Sequence, residues 1–125
     1  MTNESSAKDF ILLYRGGVSH KNLSPEQMQQ IVKQYTEWID QRRGRGQFLG
    51  GKPLEDEGSV VSGKNGQIVS DGPFIESKEI IVGFLMIRAA DLADAVLIAQ
   101  GCPILNFGGM VEVRPIIAGQ PPGLA

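Results

Sequence analysis

The sequence predicts an α+β domain in which two helices pack on one face of an antiparallel sheet, a ferredoxin-like arrangement. Three observations predict it: two amphipathic helical segments alternate with short β-prone runs, one run is apolar on both faces, and an Asn-Gly pair separates two further runs. The 125 residues suffice for one domain, and 42% hydrophobic with 21% charged residues is typical of a globular chain. Strands and helices in this order build an antiparallel sheet with its helices on one side.

The first strand is predicted over residues 10–14, a short apolar run that stops before a pair of glycines. A helix follows, because Ser24 can cap it, Pro25 suits its first position and Gln27 can complete a capping box. The helix is expected to end at the glycines of residues 44–46. Its apolar side chains recur every three or four residues and share one face: Met28, Ile31, Val32, Tyr35, Trp38 and Ile39.

The segment after this helix predicts a turn and a hairpin. Residues 47–49 are expected to form a short extended piece, and residues 50–53, Gly-Gly-Lys-Pro, a turn. Asn-Gly at 65–66 predicts a hairpin between residues 59–62 and 67–70, because both central residues tolerate positive φ.

Residues 78–88 predict a long strand that is apolar on both faces. One face carries Ile81, Leu85 and Ile87, and the other carries Ile80, Val82, Phe84 and Met86. Such a strand needs cover on both sides, and two helices cover only one. A second copy of the sheet is the simplest cover for the other face, so a homodimer is predicted.

A second helix is predicted over residues 91–100, with Asp91 as its cap and Gly101 and Pro103 ending it. Its predicted apolar stripe consists of Leu92, Ala95, Val96 and Ala99. Residues 110–116 alternate between apolar and polar side chains and predict the last strand.

Composition restricts the partners and the compartment. The net charge of −2 and the pI of about 5.3 indicate no excess of basic residues of the kind that binds nucleic acid. Residues 80–87 form the longest apolar run, which is too short for a membrane helix, and the polar residues 1–9 are not a signal peptide. A single cysteine forms no internal disulfide, so the cytoplasm is expected. The domain is expected over residues 10–117, with tails at 1–9 and 118–125.

Residues 71–79, Asp-Gly-Pro-Phe-Ile-Glu-Ser-Lys-Glu, resemble the signature of the YCII-related family in its DGPF branch. Further matches are Leu-Leu-Tyr at 12–14, the Leu-Ser-Pro-Glu helix start at 23–26, and Val-Glu-Val-Arg-Pro at 111–115. The resemblance extends from residue 10 to residue 116. It implies a dimeric α+β barrel of ferredoxin-like subunits.

The resemblance implies less about function. In the YCII branch, a histidine early in the first helix and an aspartate before a proline at the end of the second face a cleft and suggest an enzyme. Here those stretches read Pro-Glu-Gln-Met at 25–28 and Gln-Gly-Cys-Pro at 100–103, so neither residue is present. Proteins similar to the DGPF branch are encoded near alternative sigma factors, so the resemblance also implies a link to regulation.

Asp71 is the candidate catalytic residue, a general base or ligand acceptor on a loop held by strands. The alternative is structural, since a carboxylate before a Gly-Pro turn accepts the backbone N–H groups that follow. Two hypotheses result. One is a small-molecule-binding or regulatory dimer with its ligand between helices and sheet near Asp71. The other is a cofactor-independent enzyme that acts on a small polar or carbonyl compound, with Asp71 as acid/base and Tyr14, Arg88 or His20 assisting. The candidate ligand-binding residues are Tyr14, His20, Asp71, Phe74, Glu76, Lys78 and Arg88.

No cofactor or metal is predicted. Residues 58–64 match the start of a phosphate-binding P-loop, but position 65 is Asn, which lacks the magnesium-binding hydroxyl. This segment also leads into a strand, whereas the motif requires a helix. One histidine, His20, and one cysteine, Cys102, supply neither a metal-ligand cluster nor a clear axial ligand for haem.

Overall fold

The computed structural model describes residues 7–16, 23–55, 57–72 and 80–119. Within these ranges, strands and helices alternate as the sequence predicts. In chain order, the elements are β1 (Lys8–Gly16), α1 (Pro25–Gly44), β2 (Phe48–Pro53), β3 (Gly58–Ser62), β4 (Ile68–Gly72), β5 (Ile81–Ala89), α2 (Leu92–Gln100) and β6 (Gly109–Pro115), with short 3-10 turns at Lys64–Gly66 and Pro103–Phe107.

The main sheet has four strands in the order β2-β5-β1-β6, and each neighbouring pair is antiparallel. With a helix after β1 and another after β5, this order is the ferredoxin-like subunit that the sequence predicts. β3 and β4 form a separate two-stranded sheet, inserted between β2 and β5. The Asn-Gly hairpin is confirmed, since Asn65 has φ of 60° and Gly66 has φ of 69°.

Both helices begin at the predicted caps. The Ser24 hydroxyl accepts the Gln27 N–H at 3.1 Å, and the Gln27 side chain accepts the Ser24 N–H at 2.9 Å, which completes the capping box. Asp91 caps α2 by accepting the Asp94 N–H at 2.8 Å. Local hydrogen bonding at each N-terminus therefore fixes where the helix starts.

The predicted apolar stripes of the helices need correction. Val32 on α1 is 54% exposed, and Leu92 and Val96 on α2 are exposed as well. Ile98, which the predicted stripe omits, is buried. A helix that lies on a sheet buries a narrow stripe, and on α2 that stripe passes through Ala95, Ile98 and Ala99.

The core lies between the helices and one face of the main sheet. Its largest residues from the strands and helices are Phe10, Leu12, Tyr14, Leu85, Ile87, Trp38, Ile39 and Ile98. The opposite face of the sheet, called here the open face, has an apolar centre of Ile11, Leu13, Phe84 and Met86, all half-buried. Across the described ranges, both helices pack on the core side and neither covers the open face.

Residues 50–53 are not a turn, so that prediction is wrong. They form the end of β2, the edge strand, which pairs with β5 after a bulge between Phe48 and Gly50. Gly51 lies so close to β5 that an added Cβ would stand 2.5 Å from the Phe84 carbonyl oxygen. Pro53 is tolerated because an edge strand has no partner on its outer side. The glycines and the proline of residues 50–53, which suggest a turn, are therefore explained by an edge strand that lies very close to β5.

Candidate functional site

Four of the seven predicted site residues lie outside the described residues: His20, Phe74, Glu76 and Lys78. Asp71 is described and lies in β4, directly opposite Ser59 of β3, with its side chain exposed. Its strand belongs to the hairpin rather than to the main sheet. The role of Asp71 as a site residue or as a turn residue therefore stays a prediction.

Tyr14 and Arg88, two of the predicted ligand-binding residues, lie on opposite faces of the sheet. Tyr14 is buried in the core beneath α1, opposite Gly83 of β5. Arg88 is exposed, lies opposite Asp9 on the side of the open face, and forms an ion pair with that residue at 3.4 Å. The structure does not bring these two side chains together.

Tyr14 instead joins Tyr35 of α1. The two hydroxyl oxygens are 2.7 Å apart, and the rings are perpendicular with centroids 5.9 Å apart. Burial, with the nearby Cys102 thiol and Tyr35, raises the pKa of Tyr14 far above its usual range. Burial also raises the pKa of Tyr35. Both hydroxyls therefore stay protonated near neutral pH and act as hydrogen-bonding groups.

The tyrosine pair continues into an aromatic and cationic cluster on α1. The Trp38 ring lies 6.1 Å from the Tyr35 ring, and the Arg42 guanidinium stands over Trp38 at 5.5 Å. Cys102 is buried just after the end of α2, and burial raises its pKa. A thiol with a raised pKa in an enclosed setting is a poor nucleophile. Cys102 and the two tyrosines therefore serve as packing and hydrogen-bonding groups.

A cleft of about 300 Å³ opens between α1 and the edge strand β2. This volume lies at the lower end of the range for small-molecule sites. We call it the α1–β2 cleft; its floor is apolar and its rim is polar. It is lined by Tyr35, Thr36, Ile39, Asp40, Arg43, Phe48, Gly51, Lys52, Pro53 and Leu85.

The rim of the α1–β2 cleft carries three charged residues, Asp40, Arg43 and Lys52, and the first two form an ion pair. Arg43 donates from Nη1 to Asp40 Oδ1 at 2.9 Å, and the two residues lie one helical turn apart. The Arg43 guanidinium also stands over the Phe48 ring, 4.7 Å from its centroid. This contact orients Arg43 at the cleft, where it presents a cation beside a carboxylate.

The edge strand contributes a backbone donor next to the cleft. The Leu54 N–H donates to the Val82 carbonyl at 2.9 Å, so Leu54 and Val82 are a hydrogen-bonded pair in the ladder between the edge strand and β5. In an antiparallel ladder, hydrogen-bonded and non-hydrogen-bonded pairs alternate, so Gly51 is in a non-hydrogen-bonded pair. Its N–H therefore points away from β5, towards the outer edge of the sheet.

Sequence reasoning did not identify this cleft. Arg43 has a simpler role from sequence alone, because a cation in the last turn of a helix complements the helix dipole. Phe48 lies in the short segment predicted to be extended, and Gly51 lies in the stretch predicted to be a turn. The only usable signal is that Asp40 and Arg43 are three residues apart and so adjacent on a helix.

The described ranges show neither a metal-binding cluster nor a membrane-spanning helix. These residues contain no group of three or more histidine, cysteine, aspartate or glutamate side chains able to hold a metal ion. In the same part of the chain, neither helix is long and apolar enough to cross a membrane.

The fold and the cleft define a ferredoxin-like α+β protein with a small-molecule-sized cleft at one edge of its sheet. The chain belongs to the YCII-related family, since the model of the YCII-related domain matches residues 10–119. Over 55 residues it is 42% identical to an uncharacterised protein of Rhizobium meliloti (strain 1021). That match covers 43% of this chain and 44% of the relative, so it spans less than half of that protein. The family is shown, whereas the DGPF branch stays a prediction.

Proposed function

We propose that the protein is a homodimer that packs through its open faces and binds a small molecule in the α1–β2 cleft of each subunit. The observation that carries the binding role is the cleft itself, which combines an apolar floor with a rim of opposite charges. A cytoplasmic location belongs to the same proposal, because the single cysteine, Cys102, is a buried free thiol. A regulatory role would follow if ligand binding changes how the dimer contacts other molecules.

The open face supports the dimer by its apolar centre. Ile11 lies opposite Met86 and Leu13 lies opposite Phe84, so the two central strands present four large apolar side chains together. Along the parts of the chain that are described, no helix packs against this patch. A contiguous apolar patch of this kind is typical of a protein interface.

The charges at the margins of the open face suit a two-fold interface. One row across the sheet runs from Lys52 through Phe84 and Leu13 to Glu112. If two open faces pack about a two-fold axis parallel to the strands, the row reverses, and Lys52 faces the partner's Glu112. Glu112 already pairs with Arg15 and lies 3.9 Å from Arg114 in its own subunit, so Lys52 of the partner would extend an existing group of ion pairs at each edge of an isologous interface.

The two parts of the proposal are compatible because α1 and the floor of the cleft lie on the core side of the sheet, and Lys52 of the edge strand is the one cleft residue that also belongs to the row across the open face. Packing through the open face leaves α1 on the outside, and the α1–β2 cleft is bounded by α1 and by core residues such as Leu85. Each subunit of the dimer would therefore keep an accessible cleft.

Light scattering at micromolar concentration tests the dimer. Phe84→Asp places a carboxylate in the centre of the open face, and we expect it to convert a dimer into monomers. Val32→Asp is the matched control, because Val32 is 54% exposed on α1, far from the open face. A monomeric wild-type protein would refute the dimer, and a dimeric Phe84→Asp variant would refute the interface.

A further inference from the structure

We propose that the α1–β2 cleft binds an α-amino acid with an apolar side chain, holding its ammonium group at Asp40 and its carboxylate at Arg43. This inference rests on the proposed small-molecule role and adds the chemical class of the ligand. Three features of the cleft carry it: the size and character of the floor, the paired charges at the rim, and the aromatic ring that orients Arg43.

The floor selects for an apolar group of limited size. Ile39, Phe48 and Leu85 supply this part of the lining. A dry, enclosed apolar cavity of about 150 Å³ holds benzene, whereas this cleft has about 300 Å³ and is open to solvent on one side. Its volume is sufficient for one aromatic or branched aliphatic side chain, with the backbone atoms of a free amino acid at the open rim.

The rim selects for a zwitterion. Asp40 Oδ1 and Arg43 Nη1 are 2.9 Å apart, so a negative and a positive group stand side by side. The ammonium and carboxylate of an α-amino acid are separated by one carbon atom and match this spacing. Arg43 has five N–H donors, and Asp40 has a second oxygen. Each residue can therefore bind the ligand while the ion pair between them persists.

The surroundings of Arg43 favour the carboxylate at that position. The Phe48 ring beneath the guanidinium limits the orientations of Arg43, which lowers the entropy lost when it binds. Gly51 lines the strand side of the cleft. Gly51 carries no side chain, so a ligand can approach this backbone closely.

Titration of the isotope-labelled full chain, followed by its amide NMR shifts, tests the inference with four probes. L-Phenylalanine has all three groups, 3-phenylpropionate lacks the ammonium, phenethylamine lacks the carboxylate and glycine lacks the side chain. We expect L-phenylalanine to shift amides of residues 35–43 and 48–53 in a saturable way. Each of the other probes should bind at least about tenfold more weakly, because each loses one charged or apolar contact.

Two variants and two matched controls locate the charged contacts. Asp40→Asn and Arg43→Gln should each weaken L-phenylalanine binding by at least about tenfold. Glu37→Gln and Arg45→Gln remove the same charges nearby but outside the cleft lining, and they should leave binding unchanged. All four residues are exposed on or at the end of α1, so the fold should tolerate each change.

The possible results separate this inference from the proposal on which it rests. If L-phenylalanine and 3-phenylpropionate bind equally well, the zwitterion assignment is overturned and a small-molecule cleft stands. The assignment would also be overturned if Glu37→Gln or Arg45→Gln weakened L-phenylalanine binding as much as Asp40→Asn does. If none of the probes shifts the cleft amides, the amino-acid class is wrong. A small molecule that co-purifies with the protein would then still support the broader binding role, and its absence would count against that role too.

Discussion

Replacing Tyr14 with phenylalanine should change how the free energy of unfolding depends on pH in alkaline solution. Burial raises the pKa of Tyr14 in the folded protein, whereas the unfolded value is about 10. Above about pH 10 the unfolded chain loses a proton that the folded protein keeps, so the wild-type stability falls as pH rises. For this one group the loss approaches about 1.4 kcal/mol for each further pH unit.

The Tyr14→Phe variant lacks this contribution, so its stability should fall less steeply by about 1.4 kcal/mol per pH unit above about pH 10.5. Near neutral pH the variant should be less stable by about 1 kcal/mol, because it loses the hydrogen bond to Tyr35. The phenylalanine ring keeps the packing over Gly83, where Tyr14 is a close neighbour. The two measurements together separate the titration of the hydroxyl from its hydrogen bond.

Urea unfolding at a series of pH values, monitored through Trp38, measures both effects. Protein concentration should be held constant, because the stability of a dimer depends on it. Comparison of the variant with the wild type cancels the titration of lysines that both contain. Parallel curves of stability against pH would refute a buried, protonated Tyr14. The absorbance of phenolate is a second check: the chain has two tyrosines, and Tyr14 should ionise only as the protein unfolds.

Three further substitutions test the fold around the cleft and the hairpin. Gly51→Ala should lower the free energy of unfolding in urea by about 1–3 kcal/mol, because the added Cβ would meet the Phe84 carbonyl oxygen. The control Gly44→Ala should be tolerated, because a Cβ at residue 44 would have no neighbouring atom within 4 Å. Equal effects of the two substitutions would contradict the close approach of Gly51 to β5. Ser24→Ala should cost about 1 kcal/mol by calorimetry through loss of the capping box, and an unchanged melting temperature would contradict it. Asp71→Asn should lower the melting temperature by a few degrees if the carboxylate serves the turn, while lost turnover or binding at unchanged melting temperature would favour the site role.

The sequence predicted the elements whose signals are local. The caps at Ser24 and Asp91 and the hairpin at Asn65 depend on residues within a few positions of each other, so they are visible without the fold. The order of strands and helices predicted an antiparallel sheet covered by helices on one side, and the homodimer that the two-faced strand β5 suggests stays a prediction. Residues 47–49 were expected to be extended, but the second half of β2 was missed because Gly51 and Pro53 indicate a turn in isolation, and only the contact with β5 explains them.

The candidate site was predictable only in part. Alternation along β1 does not tell which face meets the helices, so the direction of Tyr14 required the fold. The α1–β2 cleft joins residues that are local on α1, Asp40 and Arg43, with Phe48 and Gly51 from the misassigned strand. Without β2 in place, the two charges look like an ordinary surface pair, which contributes little to stability.

Native mass spectrometry of freshly purified protein reports assembly and bound small molecules together, so it tests the dimer and the binding role in one experiment. We expect a species of twice the 13.5 kDa chain mass, carrying a small molecule that is lost on stronger activation. Amino-acid analysis of the released material would then identify its class. A bare monomer at micromolar concentration would contradict both the interface on the open face and the binding role of the α1–β2 cleft.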